Sequence, residues 1–373
     1  MRKTVVLLLV IVILTAPCII FAKPVCAPSV IGNSWSTKAP LPRTDAFRAA
    51  VVNGKIYAIG GEVNYEYDPA ADNWTAKKPM STARQYFGIA VYQNKIYTIG
   101  GSWWDSDMGR IKSNANEVYD PLTDTWETME PMPTNRSGLE ANVVNGKIYL
   151  IGGRTVGPQH LTVALNEVYN PATNSWTTRT PIPIAVVGYA SAVIGNKIFV
   201  IGGQAEFHDP LNIGSNQIYD TETDTWSLGA SLPTVVWNAA AGATTGAKAP
   251  KRIYVIGGML DRSIEGTNIT QAYDPENDTW TFAASMPTAR AWLAVAVADD
   301  MLYAIGGSPE ALSPFLTANE QYTPIGYEEP QQTEPFPVAP VLAAAATIAI
   351  ACIAMLVYFK KRRATNLKRN NET

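Results

Sequence analysis

The sequence predicts an all-β propeller of six blades, and three counts along the chain carry that prediction. Gly-Gly pairs stand at 60–61, 100–101, 152–153, 202–203, 257–258 and 306–307. Their spacing is that of propeller blades. Each pair closes a short apolar run such as Lys55-Ile56-Tyr57-Ala58-Ile59 or Arg252-Ile253-Tyr254-Val255-Ile256, the pattern of a buried strand. A Tyr element follows each pair: Tyr67-Asp68-Pro69, Tyr119-Asp120-Pro121, Tyr169-Asn170-Pro171, Tyr219-Asp220-Thr221, Tyr273-Asp274-Pro275 and Tyr322-Thr323-Pro324. In the first five a Trp lies seven residues beyond the Tyr, at Trp74, Trp126, Trp176, Trp226 and Trp280. A fixed spacing of this kind is what a tight hairpin imposes on the residues that flank it.

Composition agrees. The 373 residues are 47% hydrophobic and 16% charged, with 27 Gly and 26 Pro, a mix suited to many strands joined by tight turns. A chain of this length buries a large core without disulfide staples. Its cysteines are Cys18, Cys26 and Cys352, all outside the repeats. A disulfide scaffold, a thiolate zinc site and a cysteine nucleophile within the repeats are therefore excluded.

Gly-Gly, then Tyr-Asp-Pro, then Trp, then Pro131-Met132-Pro133-Thr134-Asn135-Arg136 resembles the kelch repeat over residues 30–327. The resemblance implies four-stranded antiparallel blades. The ends of the repeat array fit a closed ring. Tyr322 has no Trp after it, and Trp35 has no Gly-Gly before it. The counts balance when the first strand completes the last blade, which also protects sheet edges. Such a propeller is expected to be a monomer.

Both ends read as membrane signals. Residues 1–22 carry Arg2-Lys3, an apolar run from Val5, and a cleavage site at Ile20-Phe21-Ala22, which describes a signal peptide. Residues 328–337 read as a Pro-rich stalk. Val338–Phe359 contains no charge and is followed by Lys360-Lys361-Arg362-Arg363. As a helix that stretch spans about 33 Å, with its basic tail (360–373) on the cytoplasmic side. The propeller is thus expected outside the cell, at the membrane. Setting aside Arg2, Lys3, the six tail cations and Glu372 leaves 21 basic and 31 acidic residues, near −10. That balance argues against nucleic acid as a partner.

With the strands of a blade lettered a to d from the axis outward, the b–c and d–a loops share one face. The c–d turns are uniform, whereas the stretch from the second Gly to the Tyr spans 6, 18, 16, 16, 15 and 15 residues. Variable insertions on one face mark that face for binding. The Arg position of the repeat holds Asp45, Arg84, Arg136, Val186, Val236 and Arg290. On a ring this gives an arc from Arg290 through Asp45 and Arg84 to Arg136, with Phe47, Tyr86 and Trp292 beside it, Trp237 on the other side, and Arg154 on the same face. Related kelch domains hold partner carboxylates with arginines at matching positions. The resemblance therefore implies Arg84, Arg136 and Arg290 as ligand contacts, for which a planar guanidinium is suited. The competing reading has these arginines bracing blades or pairing with Asp45.

Enzymatic readings find little support. A galactose oxidase-type copper site needs a Cys cross-linked to Tyr, and the repeats have none. His160 and His208 read as solvated loop residues. Glu62, Asp45 and Glu140 are candidate acids near the axis, without a matched base. Asp105 and Asp107 follow Trp103-Trp104 without the rest of a calcium pattern. No metal and no cofactor is expected. Sequons occur at Asn73, Asn135, Asn268 and Asn277. The expected function is a non-enzymatic cell-surface binding module for a protein, peptide or carbohydrate. The alternative is an extracytoplasmic carbohydrate-modifying enzyme, epimerase- or mutarotase-like, with its site at the channel mouth.

Overall fold

The computed structural model describes residues 32–105, 109–155, 161–205, 212–260, 263–311, 314–329 and 338–370. The chain divides into two units, Met1–Glu328 and Glu329–Thr373.

The first unit is a six-bladed propeller of four-stranded antiparallel blades. Blade 1 takes Arg48–Val52, Lys55–Ile59, Asn64–Asp68 and Asn73–Lys77 as strands a to d. Blade 2 takes Gly88–Tyr92, Lys95–Ile99, Asn116–Asp120 and Thr125–Thr128. Blade 3 takes Glu140–Val144, Lys147–Ile151, Asn166–Asn170 and Ser175–Thr178. Blade 4 takes Ala190–Ile194, Lys197–Ile201, Asn216–Asp220 and Thr225–Gly229. Blade 5 takes Ala240–Ala243, Ile253–Ile256, Thr270–Asp274 and Thr279–Phe282. Blade 6 takes Ala294–Ala298, Met301–Ile305 and Asn319–Thr323, and is completed by Ser34–Thr37 from the start of the chain. Trp35 lies opposite Tyr322, as closure requires. The b strands are apolar along most of their length because each is covered by a neighbouring blade on both faces. Ile56, Ile96, Ile148, Ile198, Ile253 and Leu302 are all fully buried.

One polar clasp repeats at every blade junction. In blade 2, Asp124 Oδ1 accepts from the Tyr119 hydroxyl at 2.6 Å and from the Lys78 N–H of blade 1 at 2.9 Å. Trp126 Nε1–H donates to the Lys78 carbonyl at 2.8 Å. Both backbone groups of one residue in the preceding blade are thus held by two side chains. Asp72 and Trp74 hold Ala39 in this way, and Asn174 and Trp176 hold Glu130. Asp224 and Trp226 hold Thr180, and Asp278 and Trp280 hold Ala230. The last clasp is built from two ends of the chain. Asn33 and Trp35 hold Ala284, while Tyr322 donates to Asn33 at 3.0 Å. Every Asp or Asn in this column is left-handed, with φ from 47° to 57°. Asp and Asn tolerate that conformation better than other side chains, which explains why no other residue type occupies the column.

The second unit contains the helix Val338–Asn370. Its side chains are exposed over residues 347–366, including Ile350, Leu356 and Phe359. Among the described residues no helix is long and apolar enough to cross a membrane. The signal segment 1–22 and most of the stalk lie outside the described residues.

Removing a clasp carboxylate strands a Tyr hydroxyl and a backbone N–H. Asp124→Ala is therefore expected to destabilise the propeller by about 1–3 kcal/mol, read from urea unfolding. Leu122→Ala, two residues earlier and 92% exposed, is expected to stay within about 0.5 kcal/mol of wild type. Asp124 and Asp72 are held below the usual carboxylate range, first by the hydroxyls of Tyr119 and Tyr67 and then by the backbone N–H groups they accept. Their contribution is complete above the ordinary Asp pKa and is lost as pH falls through the lower folded value. Asn33 and Asn174 do not titrate, so acid leaves those two clasps intact.

Candidate binding site at the channel mouth

Three arginines expected at the mouth are not there. Arg84, Arg136 and Arg290 are at most 1% exposed. Each is ion-paired inside its own blade with the strand-c residue two before the Tyr: Arg84 with Glu117, Arg136 with Glu167 at 2.6 Å, and Arg290 with Glu320 at 2.6 Å. Each also donates to a carbonyl at the end of strand b. Arg84 Nε donates to Gly100 at 2.8 Å, Arg136 Nη1 to Gly152 at 2.5 Å, and Arg290 Nη2 to Ala304 at 3.0 Å. Burial pulls each guanidinium downward from its ordinary pKa, and the partner Glu opposes this. The arc is therefore corrected to a set of internal braces that pin the lead-in of strand a onto its own blade.

Blades 4 and 5 reach the same end differently. There Val186 and Val236 replace the Arg, and Gln217 and Gln271 replace the Glu. Gln217 accepts from the Ile184 N–H at 2.9 Å and donates to the Ile184 carbonyl at 3.0 Å. Gln271 does the same for Thr234 at 2.8 and 3.0 Å. In blades 2 and 6 the equivalent carbonyls of Thr82 and Thr288 are bonded by the Arg. One amide thus replaces an ion pair.

Blade 1 departs from both patterns. Its lead-in is one residue shorter between Asp45 and Arg48 than between Arg84 and Gly88. Tyr65 stands where the Glu or Gln would be. Asp45 Oδ1 accepts from Ala46 N–H at 2.7 Å and from Gln85 Nε2 at 2.8 Å, and its carboxylate packs against Gly60 and Gly61. Asp45 does not meet the arginines.

The mouth is framed by the residue two before strand a. In blades 2 to 6 this is Tyr86, Gly138, Gly188, Asn238 and Trp292, all left-handed with φ from 51° to 68°. They form a chain of backbone bonds around the axis: Gly138 N–H to Tyr86 O at 2.9 Å, Gly188 to Gly138 at 3.2 Å, Asn238 to Gly188 at 2.7 Å, and Trp292 to Asn238 at 2.9 Å. Among the described residues the chain stops at blade 1, where Ala46 N–H is taken by Asp45. Trp237 and Trp292 meet edge to face with centroids 6.0 Å apart. The two sides of the mouth expected to be separate are thus joined. Tyr86, Asn238 and Trp292 line a cavity of about 430 Å³, open solvent included, with Ala46, Arg48 and Glu140. Phe47 is buried between blades. Arg154 is half-buried, on a short ladder opposite Ser137.

The floor holds a pair that sequence reading missed as a unit. The first residues of the a strands form a ring: Arg48, Gly88, Glu140, Ala190, Ala240 and Ala294. Arg48 passes over Gly88, donates through Nε to Phe87 O at 3.1 Å, and reaches Glu140 Oε1 with Nη2 at 3.0 Å. The Glu140 backbone N–H donates to the Tyr189 hydroxyl at 3.1 Å. That hydroxyl donates to Ile151 O at 2.5 Å. Burial pushes the Glu140 carboxyl up, and Arg48 pulls it back down. Below the pair the channel continues between Ala49, Ile89, Ser191, Ala241 and Val295. Of the three acids placed near the axis, only Glu140 enters the channel. Glu62 is exposed beside Arg43 at 3.5 Å. His160, His208 and Asp107 lie outside the described residues.

Two outcomes follow. Arg84→Met alone leaves Glu117 buried without its partner and is expected to cost about 3–5 kcal/mol in urea unfolding. Arg84→Val combined with Glu117→Gln copies blade 4 and is expected to recover most of that loss; no recovery would contradict the bracing role. Carbon-detected NMR titration is expected to place the Glu140 pKa above its ordinary 4.5. Arg48→Met should move it further up, since the lowering influence is gone. The sign for stability is that a raised carboxyl favours the fold at low pH, and this contribution is lost as pH rises through the folded pKa.

Comparison with known proteins agrees with this geometry. The KLHDC2/KLHL20/DRC7 Kelch-repeats domain matches residues 87–307, from the start of blade 2 into blade 6. Kelch-like protein 15 of Danio rerio is 27% identical over 296 residues, covering 73% of this chain and 40% of that protein. Kelch repeat and BTB domain-containing protein 12 of Homo sapiens is 30% identical over 161 residues, covering 36% of this chain and 26% of that protein. The chain thus spans between about a quarter and two fifths of these relatives. The solved structure of YjhT superposes with a TM-score of 0.67 at 19% identity, over 76% of this chain and 96% of that one, a likeness of fold. By the family match and by its six clasped blades, the chain belongs to the kelch-repeat propellers.

Proposed function

We propose that the propeller is a binding module that recognises a protein ligand through the face carrying the channel mouth. We further propose that it is held outside the cell by its C-terminal segment. The observation that carries the reading is the rim itself. Tyr86, Asn238 and Trp292 surround a polar floor, while the consensus arginines are spent inside the blades. Aromatic anchors over a partly desolvated charge pair are what binding hot spots are made of.

The direction of the chain supports this use of the face. The a–b loop of blade 5 wraps the Asp300 carboxylate, which accepts from Thr245 N–H at 2.6 Å and Lys248 N–H at 2.8 Å. The Lys248 carbonyl in turn accepts from Glu328 N–H at 2.7 Å. The propeller's last residue, Glu328, therefore lies on the a–b face, opposite the mouth. The uncharged stretch Val338–Phe359 before four cations supports anchoring with the tail inside.

The test uses the full-length chain on its own cells. Trypsin added outside is expected to remove the propeller and spare the tail; protection of the propeller would contradict the orientation. Cross-linked partners are expected to be lost in a Tyr86→Ser/Trp292→Ala variant that melts like wild type. Unchanged capture would contradict the face.

A further inference from the structure

The floor of the mouth is chemically specific. Only two residues in the ring of Arg48, Gly88, Glu140, Ala190, Ala240 and Ala294 have long side chains, and these two meet each other. Their bond uses Arg48 Nη2 and Glu140 Oε1, and Phe87 O takes Arg48 Nε. Arg48 Nη1 and Glu140 Oε2 have no protein partner among the described residues, and neither is a buried orphan. The side chains are 18% and 22% exposed, so they reach the solvent of the channel. One donor and one acceptor therefore stand side by side at the bottom of a small opening. Trp292, fixed edge-on by Trp237, forms one wall. Gly138 and Gly188 line the opposite wall, where a Cβ would run into Val187 and Asn238.

We propose that this mouth receives one inserted side chain of the protein partner, and that the side chain carries a primary carboxamide, glutamine or asparagine. The inference rests on the reading that the mouth is the contact face. A carboxamide presents one acceptor and two donors in a plane, which matches Arg48 Nη1 and Glu140 Oε2 together. The other side-chain classes fit worse. A carboxylate would be drawn to Arg48 but forced beside Glu140. An ammonium would be drawn to Glu140 but forced beside Arg48. An apolar tip would cover both charged groups and satisfy neither. Misfits of this kind give selectivity by penalty as well as by attraction.

The experiment uses the full-length chain in detergent with its tryptophan indoles labelled with nitrogen-15. The probes are N-acetyl-glutamine N-methylamide and the matching glutamate, lysine and norleucine compounds. The glutamine probe is expected to shift the Trp292 indole signal saturably, and the other three to bind at least about tenfold more weakly, the scale set by leaving one buried polar group unmet. An Arg48→Met/Glu140→Leu variant with an unchanged melting temperature is expected to lose the preference. No saturable shift, equal binding of the glutamate or lysine probe, or a preference retained by the double variant would overturn the proposal. The probe ranking on the wild-type chain decides the matter even where the variant does not fold. A partner still captured at the mouth alongside a failed ranking would sink this inference and leave the binding face standing.

Discussion

The propeller depends on one repeated interaction, the grip of an Asp or Asn and a Trp on both backbone groups of a residue in the preceding blade. The grip at Lys78, by Asp124 at 2.9 Å and Trp126 at 2.8 Å, stands for all six. Apolar packing between blades supplies most of the driving force but has no direction. The clasp supplies direction, because a residue whose N–H and C=O are both bonded has a fixed register against its neighbour. The ring is closed by the same device. Asn33 and Trp35 arrive from the start of the chain, meet Tyr322 from near the propeller's end, and grip Ala284. A four-residue strand suffices for closure because it brings a complete clasp with it.

With the outside of each blade held by clasps, the inside is held by the lead-in to strand a. Arg–Glu pairs do this in blades 2, 3 and 6, and Gln alone does it in blades 4 and 5. Both devices satisfy backbone groups that would otherwise be stranded in a dry junction. They also free the mouth from structural duty. What faces the axis there is the left-handed ring, Trp237 against Trp292, and the Arg48–Glu140 pair. Blade 1, one residue short, breaks the ring and places Asp45 at the seam.

Much of this was legible from repeat spacing. Blade number, strand polarity and closure through Trp35 follow from the Gly-Gly, Tyr and Trp columns, because those residues are confined to one geometry each. The clasp residues Asp72, Asp124, Asn174, Asp224, Asp278 and Asn33 form an equally regular column, but Asp and Asn in a turn read as turn formers. Between ligand contact and brace, the Arg column alone does not decide, because the choice lies in its partner. Tyr65, Glu117, Glu167, Gln217, Gln271 and Glu320 vary in step with Asp45, Arg84, Arg136, Val186, Val236 and Arg290, and that pairing within one chain is the signal of a buried brace. The Arg48–Glu140 contact was not legible, since it crosses an intervening blade over Gly88 and repeat spacing carries no radial direction.

Native-state hydrogen exchange tests the central claim most directly. If the clasps close the ring as one unit, the amides of Ala39, Lys78, Glu130, Thr180, Ala230 and Ala284 exchange together, with the free energy of global unfolding. Early exchange of Ala284 alone, with the other five still protected, would show that the terminal strand opens by itself and would contradict the account.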